Sequence, residues 1–157
     1  MEKIFNKFIF CLSIFSTLGC HNDTGSRYLK DIATGTGFKN IADGKILFFF
    51  NGLTGWDASG SLYYVLDYSN VDDNIRFTNT TSKERFFLSG RDSKFESIVD
   101  DFVLDKLSNN YNYFEEKYKI DWNQPYIYYS ANEEYVGTAM IYYKETELLY
   151  VLSYIVG

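Results

Sequence analysis

The stretch "ELLYVLSYIV" (147–156), near the C-terminus, determines which fold the sequence predicts. Successive residues of a β-strand point to opposite faces of a sheet, and this stretch is apolar on both. A strand of that kind is typical of a central position that is covered on both sides. One face would carry Leu148, Tyr150, Leu152 and Tyr154, and the other Leu149, Val151 and Ile155.

Several shorter segments are predicted to pair with this central strand. They are rich in aromatic and β-branched residues, and polar turns separate most of them, which favours antiparallel neighbours. Two of them, residues 75–79 and 84–89, are spaced as the arms of a hairpin. The candidates are "KILFFF" (45–50), "SLYYVLDYS" (61–69), "IRFTN" (75–79), "ERFFLS" (84–89), "YIYYS" (126–130) and "YVGTAMIYY" (135–143).

One segment has the periodicity of a helix. Ser93 and Glu96 are spaced as a capping box, and apolar residues then recur at intervals of three and four. Whether the helix continues through Tyr118 or divides at "SNN" (108–110) stays open. The predicted class is α+β, an antiparallel meander of about six or seven strands with one long amphipathic helix packed on it. The apolar stripe consists of Phe95, Ile98, Val99, Phe102, Val103 and Leu107.

The N-terminus has the pattern of an export signal. Lys3 and Lys7 precede the apolar run "FIFCLSIFSTLG" (8–19), which is too short for a membrane span of about 20 residues. A cationic start, a short apolar core and a small residue before a polar stretch predict a secretory signal peptide over residues 1–19.

The residues "TLGC" (17–20) resemble the lipobox of bacterial lipoproteins. In that family a small residue precedes a cysteine that is lipidated and becomes the new N-terminus. The resemblance implies fatty acylation of Cys20 and anchoring to a membrane. It also implies a short tether over residues 20–28 and a single domain over residues 29–157. Ordinary secretion without a lipid is the alternative. In an envelope with two membranes, His21 after the cysteine agrees with the outer membrane and a domain that faces the periplasm.

Composition excludes several kinds of function. The net charge is −6, and removal of the signal with Glu2, Lys3 and Lys7 makes it one unit more negative. Nucleic-acid binding is disfavoured because phosphate contacts need a basic patch, and a charged partner is expected to be basic. The one histidine, His21, lies beside the expected anchor, which argues against Ser-His-Asp and Cys-His catalysis and against a zinc site. No cofactor or resident metal is predicted.

Two groups of residues are candidates for binding a partner. Winding the helix at about 100° per residue places acidic side chains opposite the apolar stripe. Trp56 and Asp57 lie in the glycine-punctuated loop "NGLTGWDASG" (51–60), where a tryptophan can anchor a protein contact or pack on a sugar. The acidic helix residues are Glu96, Asp100, Asp101 and Asp105.

The segment "DYSNVDDN" (67–74) is rich in the oxygen ligands that calcium prefers. An ordinary turn is the favoured interpretation, since Asp, Asn and Ser side chains bond to their own backbone in turns.

Three functions are compatible with these features. The favoured one is a non-enzymatic envelope lipoprotein that binds another protein, for example as an immunity protein or inhibitor that acts against a toxin. A module that binds a carbohydrate or an envelope fragment, using Trp56 and surface tyrosines, is the first alternative. A hydrolase that uses carboxylates brought together by folding is the second.

Overall fold

The computed structural model describes residues 24–53, 59–72, 77, 87–132 and 136–155. Six strands in this part of the chain form one fully antiparallel sheet, in the order β1-β2-β6-β5-β4-β3. The strands are β1 (Lys45–Asn51), β2 (Gly60–Asp67), β3 (Leu88–Ser89), β4 (Ile127–Asn132), β5 (Val136–Tyr143) and β6 (Leu148–Ile155).

The C-terminal strand is central, as its apolar pattern predicted. β6 lies between β2 and β5, with Leu62 paired to Ser153 and Met140 paired to Val151. Strands β3 to β6 form a meander, and the β1–β2 pair joins it through β6. The α+β class is therefore confirmed, but the connection from β2 to the far edge at β3 departs from a simple meander. Most of the predicted hairpin over 75–79 and 84–89 lies outside the described residues.

Helices cover both faces of the sheet. Residues 24–36 are helical (α1) and pack on one face, followed by a 3₁₀ turn, Lys39–Asp43. The other face is covered by α2 (Ser93–Phe102), which continues into a π-helical segment, Val103–Leu107. Within the described residues, no helix has the length and apolar character needed to cross a bilayer.

The helix on the second face is shorter than predicted. Ten residues of α2 are followed by five in the π segment and by the short α3 (Ser108–Tyr111). The chain then turns, and residues Glu116–Tyr118 form a separate 3₁₀ turn. The apolar stripe of α2 and the π segment buries Phe95, Val99 and Leu107.

Helix α1 is longer than predicted, since the sequence indicates only one short helical turn, around "RYLKDIA" (27–33). Leu29 and Ala33 are buried against the sheet, and the Gly25 carbonyl accepts a hydrogen bond from the Tyr64 hydroxyl at 3.0 Å. Gly25 also lies so close to the Phe49 ring that a Cβ would come within 2.9 Å of it. Residues 24–28 therefore belong to the folded domain, although they were predicted to be part of the tether.

The predicted capping box at the start of α2 is wrong. The N-cap residue is Asp92, whose Oδ1 accepts the backbone N–H groups of Lys94 and Phe95 at 3.0 Å. The Tyr128 hydroxyl donates to Asp92 Oδ2 at 2.6 Å and holds this carboxylate in place. Glu96 does not reach back to the helix start, because its carboxylate bonds to the Arg91 guanidinium and the Tyr126 hydroxyl.

This cap makes a testable contribution to stability at acid pH. The hydrogen bond from Tyr128 is the main reason why the pKa of Asp92 lies below its usual value. Because the unfolded-state pKa, about 3.9, is higher, the contribution is present above about pH 4 and is lost as the pH falls through the folded-state pKa. Asn caps about as well as Asp but does not titrate. Between about pH 7 and about pH 3, urea unfolding should therefore show a smaller loss of stability in Asp92→Asn than in the wild type. Parallel losses would contradict this assignment of the cap.

Most of the tyrosines belong to the core. Their hydroxyls commonly hold a loop or helix onto the sheet, as when Tyr68 donates to the Asn40 carbonyl at 2.7 Å and Tyr63 to the Tyr118 carbonyl at 2.6 Å. This explains an aromatic content of 20% without a large aromatic recognition surface. The buried tyrosines are Tyr63, Tyr64, Tyr68, Tyr126, Tyr128, Tyr129, Tyr142, Tyr143 and Tyr150.

Candidate functional site

A groove of about 280 Å³ separates α2 and the π segment from strands β4 and β5, and is called the helix–sheet groove below. Its floor consists of small residues on the face of the sheet that α2 covers, with Ser130 opposite Ala139 and with Gly137 two residues before Ala139 on β5. Side chains of this size leave space between the sheet and the helix that covers it. The groove therefore follows from the run of small residues on two neighbouring strands.

The walls of the helix–sheet groove are apolar. Ile98 contributes from α2 and remains 49% exposed, although its spacing in the sequence predicted a place in the core. Phe102 and Tyr154 form the end of the groove, with ring centroids 6.0 Å apart. The Tyr154 ring occupies the space that a side chain at Gly137 would need. An apolar side chain from another molecule would thus find apolar partners on three sides.

The rim of the groove is acidic. Asp101 and Asp105 are exposed and line it. Asp105 Oδ2 lies 2.8 Å from Lys106 Nζ, but both side chains are largely solvated, and such surface pairs contribute about 0–1 kcal/mol. Asp101 makes no ion pair with any residue that the structure describes. The rim therefore offers carboxylate charge to a cationic partner.

The π-helical segment fixes the position of this rim. Its Lys106 carbonyl accepts a hydrogen bond from the Ser61 hydroxyl of β2 at 3.0 Å, and Leu107 is fully buried. Asp105 and Lys106 are thereby held beside the groove by a backbone anchored to the central sheet. π segments are rare and occur frequently at functional sites.

The structure divides the predicted acidic helix face into two parts. Asp101 and Asp105 lie at the groove, as described above. Asp100 accepts a hydrogen bond from the Trp122 indole at 2.9 Å. The carboxylate of Glu96 is bound by Arg91, which is the main reason why its pKa lies below the usual value. Glu96 and Asp100 therefore serve intramolecular contacts on the other side of the helix.

The remaining predicted site residues are not placed together with the groove. Trp56, Asp57 and Cys20 lie outside the described residues. In the segment 67–74, Asp67 accepts the backbone N–H of Ser69 at 2.9 Å, which is the geometry of a turn, while residues 73 and 74 lie outside the described part. Among the residues that the structure describes, no three His, Cys, Asp or Glu side chains form a group suited to a metal ion.

Sequence reasoning missed the groove itself. The signal was the string of small residues "GTA" (137–139) in a predicted strand. The string indicates a groove only once the strand register is known, because the register places Ala139 opposite Ser130 and sets Gly137 and Ala139 on the face that α2 covers.

A second concavity, of about 380 Å³, lies on the same face of the sheet at the other end of the β5–β6 hairpin. It is bounded by the chain that follows the 3₁₀ turn of Glu116–Tyr118 and by the tyrosines of β5 and β6, and is called the tyrosine pocket. Its principal lining residues are Lys119, Asp121, Gln124, Tyr143 and Tyr150.

Fold and site together define an α+β domain in which helical layers cover both faces of an antiparallel sheet and an apolar groove with an acidic rim opens beside one helix. The chain matches no protein-family model, no curated protein and no solved structure.

Proposed function

We propose that this chain is a non-enzymatic lipoprotein of the bacterial cell envelope that binds another protein through the helix–sheet groove. The observation that carries the proposal is the combination of an open apolar groove with the carboxylates of Asp101 and Asp105 at its rim. The partner segment that fits is basic and carries an apolar side chain. One concrete form is an immunity protein or inhibitor that holds a basic toxin, in keeping with the net charge of −6.

The two components of the groove have separate roles in such binding. Full burial of one Val or Leu side chain stabilises a complex by about 1.5–3 kcal/mol, and Ile98 and Leu152 supply the apolar contact. The rim carboxylates act mainly on the association rate and on selection against acidic partners. Their effect should weaken with salt, because the Debye length falls to about 8 Å at physiological ionic strength.

Peptides of defined charge test this site. The probes are ten-residue peptides with Leu or Phe flanked by Lys and Arg, and their counterparts with Glu and Asp. Binding to the full chain in mild detergent is followed by fluorescence anisotropy. The basic set should bind, and the double variant Asp101→Asn, Asp105→Asn should weaken binding ~5-fold at low salt, which corresponds to about 1 kcal/mol.

Matched variants distinguish the contribution of the groove to peptide affinity from that of the overall negative charge. Asp43→Asn with Glu145→Gln removes the same two charges at exposed positions away from the groove and should leave peptide affinity unchanged. Ile98→Ala should weaken binding by removing an apolar wall and, since Ile98 is half exposed, should change stability little. Equal effects of the groove and control pairs, or equal binding of acidic and basic peptides, would contradict the proposal.

The lipid anchor is tested at Cys20. Wild-type protein should incorporate radiolabelled fatty acid and sediment with membranes when it is expressed in a bacterial host. Cys20→Ala should lose both properties and keep the cooperative unfolding of the domain, since position 20 precedes the described helix α1. Equal labelling of the two proteins would overturn the lipoprotein assignment.

A further inference from the structure

The end of the helix–sheet groove is aromatic. The rings of Phe102, the last residue of α2, and Tyr154, on β6, lie with their centroids 6.0 Å apart and are tilted by 39°. Both side chains line the groove and are half-buried, so ring surface remains accessible from it. The face of an aromatic ring attracts cations. This end of the groove therefore suits a cationic group that is flat enough to pack against a ring.

Two carboxylates flank the Phe102 ring. Asp101 precedes Phe102 in the chain, and Asp105 follows it by three residues. Helical side chains three and four residues apart are neighbours, and all three line the same groove. Both carboxylates are exposed. A cation that packs on the ring would thus lie beside two carboxylates, while Ile98 provides an apolar wall about one turn earlier in the helix.

Lys106 is the only basic side chain among the described residues that line the groove. Its Nζ lies 2.8 Å from Asp105 Oδ2, with the two side chains 45% and 71% exposed. Solvated pairs of this kind are weak, so a cation from a partner can displace Lys106 from Asp105. With two carboxylates and one ammonium group, the lining also retains one uncompensated negative charge.

We propose that the aromatic end of the groove binds an arginine side chain of the partner protein. Its guanidinium packs on the rings of Phe102 and Tyr154 and donates hydrogen bonds to Asp101 and Asp105. A guanidinium is planar, less strongly hydrated than an ammonium group and able to donate from several N–H groups at once, so it gains more than lysine from rings and carboxylates together. The inference rests on the proposed function, because it names the side chain by which the basic partner is held.

Peptides that differ only in their cations test the inference. The basic peptide with the highest affinity for the full chain is prepared with every cation as arginine, as lysine or as citrulline, a neutral analogue of arginine with nearly the same shape. Binding in mild detergent at low salt is followed by fluorescence anisotropy. The arginine form should bind at least ~3-fold more tightly than the lysine form. The citrulline form should bind most weakly, because it carries no charge for the carboxylates.

Variants assign the preference to the two rings. Phe102→Leu and Tyr154→Leu keep an apolar side chain and remove a ring. Each should lower the ratio of arginine to lysine affinity toward one, with the affinity of the lysine form changed by less than ~2-fold. Tyr113→Leu removes a ring that is 87% exposed and should leave the ratio unchanged. Urea unfolding identifies the variants that fold as the wild type does, and the ratio is compared in those.

A variant of Lys106 tests the contact with the carboxylates. Lys106→Gln removes the competitor for Asp105 and should raise the affinity of the arginine form ~2-fold or more. Lys94→Gln is the matched control, because it removes the same charge at an exposed position near the other end of α2. Its effect on the affinity should be smaller.

The outcomes separate this inference from the proposed function. Equal binding of the arginine and lysine forms by the wild type, or an unchanged preference in a ring variant that folds, would overturn the arginine site. If both cationic forms still lose affinity in the Asp101→Asn, Asp105→Asn variant, the protein-binding groove stands without it. Failure of every form to bind the wild type would overturn both proposals.

Discussion

Replacing Gly60 with alanine is expected to lower the free energy of unfolding by ~3 kcal/mol or more. Gly60 begins β2 with φ of +138°, a conformation that residues with a Cβ rarely adopt. An added Cβ would overlap the Gly52 carbonyl oxygen and come within 2.9 Å of Leu53 Cα. Both are backbone atoms, and Gly52 is fixed by its hydrogen bond to the Ser61 carbonyl at 2.8 Å. Relief of the overlap therefore requires the β1–β2 pair to open.

Gly35→Ala is the matched control for this variant. Gly35 lies in α1, and a Cβ there would meet nothing within 4 Å. Alanine in a helix is favoured over glycine by ~1 kcal/mol, so unfolding in urea should occur at the same or a higher denaturant concentration. Wild-type stability of Gly60→Ala would contradict the positive φ of Gly60 and its close approach to Gly52.

Val151→Asp is expected to abolish cooperative folding, with a loss of ~4 kcal/mol or more that is comparable to the whole stability of a small domain. Val151 is fully buried at the centre of β6, opposite Tyr64 on one side and Met140 on the other. Leu62, Tyr64 and Met140 are among the buried residues of the same hydrophobic cluster. A carboxylate of nearly the same size would be buried without a partner.

Leu47→Asp, at an exposed strand position, is the control for Val151→Asp. Leu47 lies at the irregularity between Ile46 and Phe48 in the edge strand β1 and is 39% exposed. Leu47→Asp should therefore change the free energy of unfolding by less than about 1 kcal/mol. Circular dichroism during urea titration measures both variants. A well-folded Val151→Asp, or equal losses in the two proteins, would contradict a central position for β6.

The sequence was sufficient to predict the sheet because its central strand carries an unambiguous pattern. A strand that is apolar on both faces leaves few alternatives to a central position. The polar turns predicted a meander and did not indicate that β2 pairs with β6. Only one short turn of helix α1 was predicted because its buried face is short, with Leu29 and Ala33 beside a glycine- and threonine-rich segment that is typical of a loop. The helix cap was misplaced by one residue, since Asp92 and Ser93 are both good N-cap residues and tertiary contact with Tyr128 favours Asp92.

The candidate site was only partly predictable for a similar reason. The acidic character of α2 is evident in the sequence. Which of its carboxylates line the groove and which form intramolecular hydrogen bonds depends on the positions of Trp122 and Tyr126. Ile98 matched the core pattern and is exposed because the strands beneath it carry small side chains.

NMR mapping of a bound peptide tests most directly whether the helix–sheet groove is the protein-binding site. The full chain, labelled with ¹⁵N and kept in mild detergent, is titrated at low salt with the basic peptide that binds it best. We expect the largest chemical-shift changes at Ile98, Asp101, Gly137 and Ala139, with loss of those changes in the Asp101→Asn, Asp105→Asn variant at the same peptide concentration. Shifts confined to the α1 face around Leu29 and Asp43, or their absence at a saturating peptide concentration, would contradict the account.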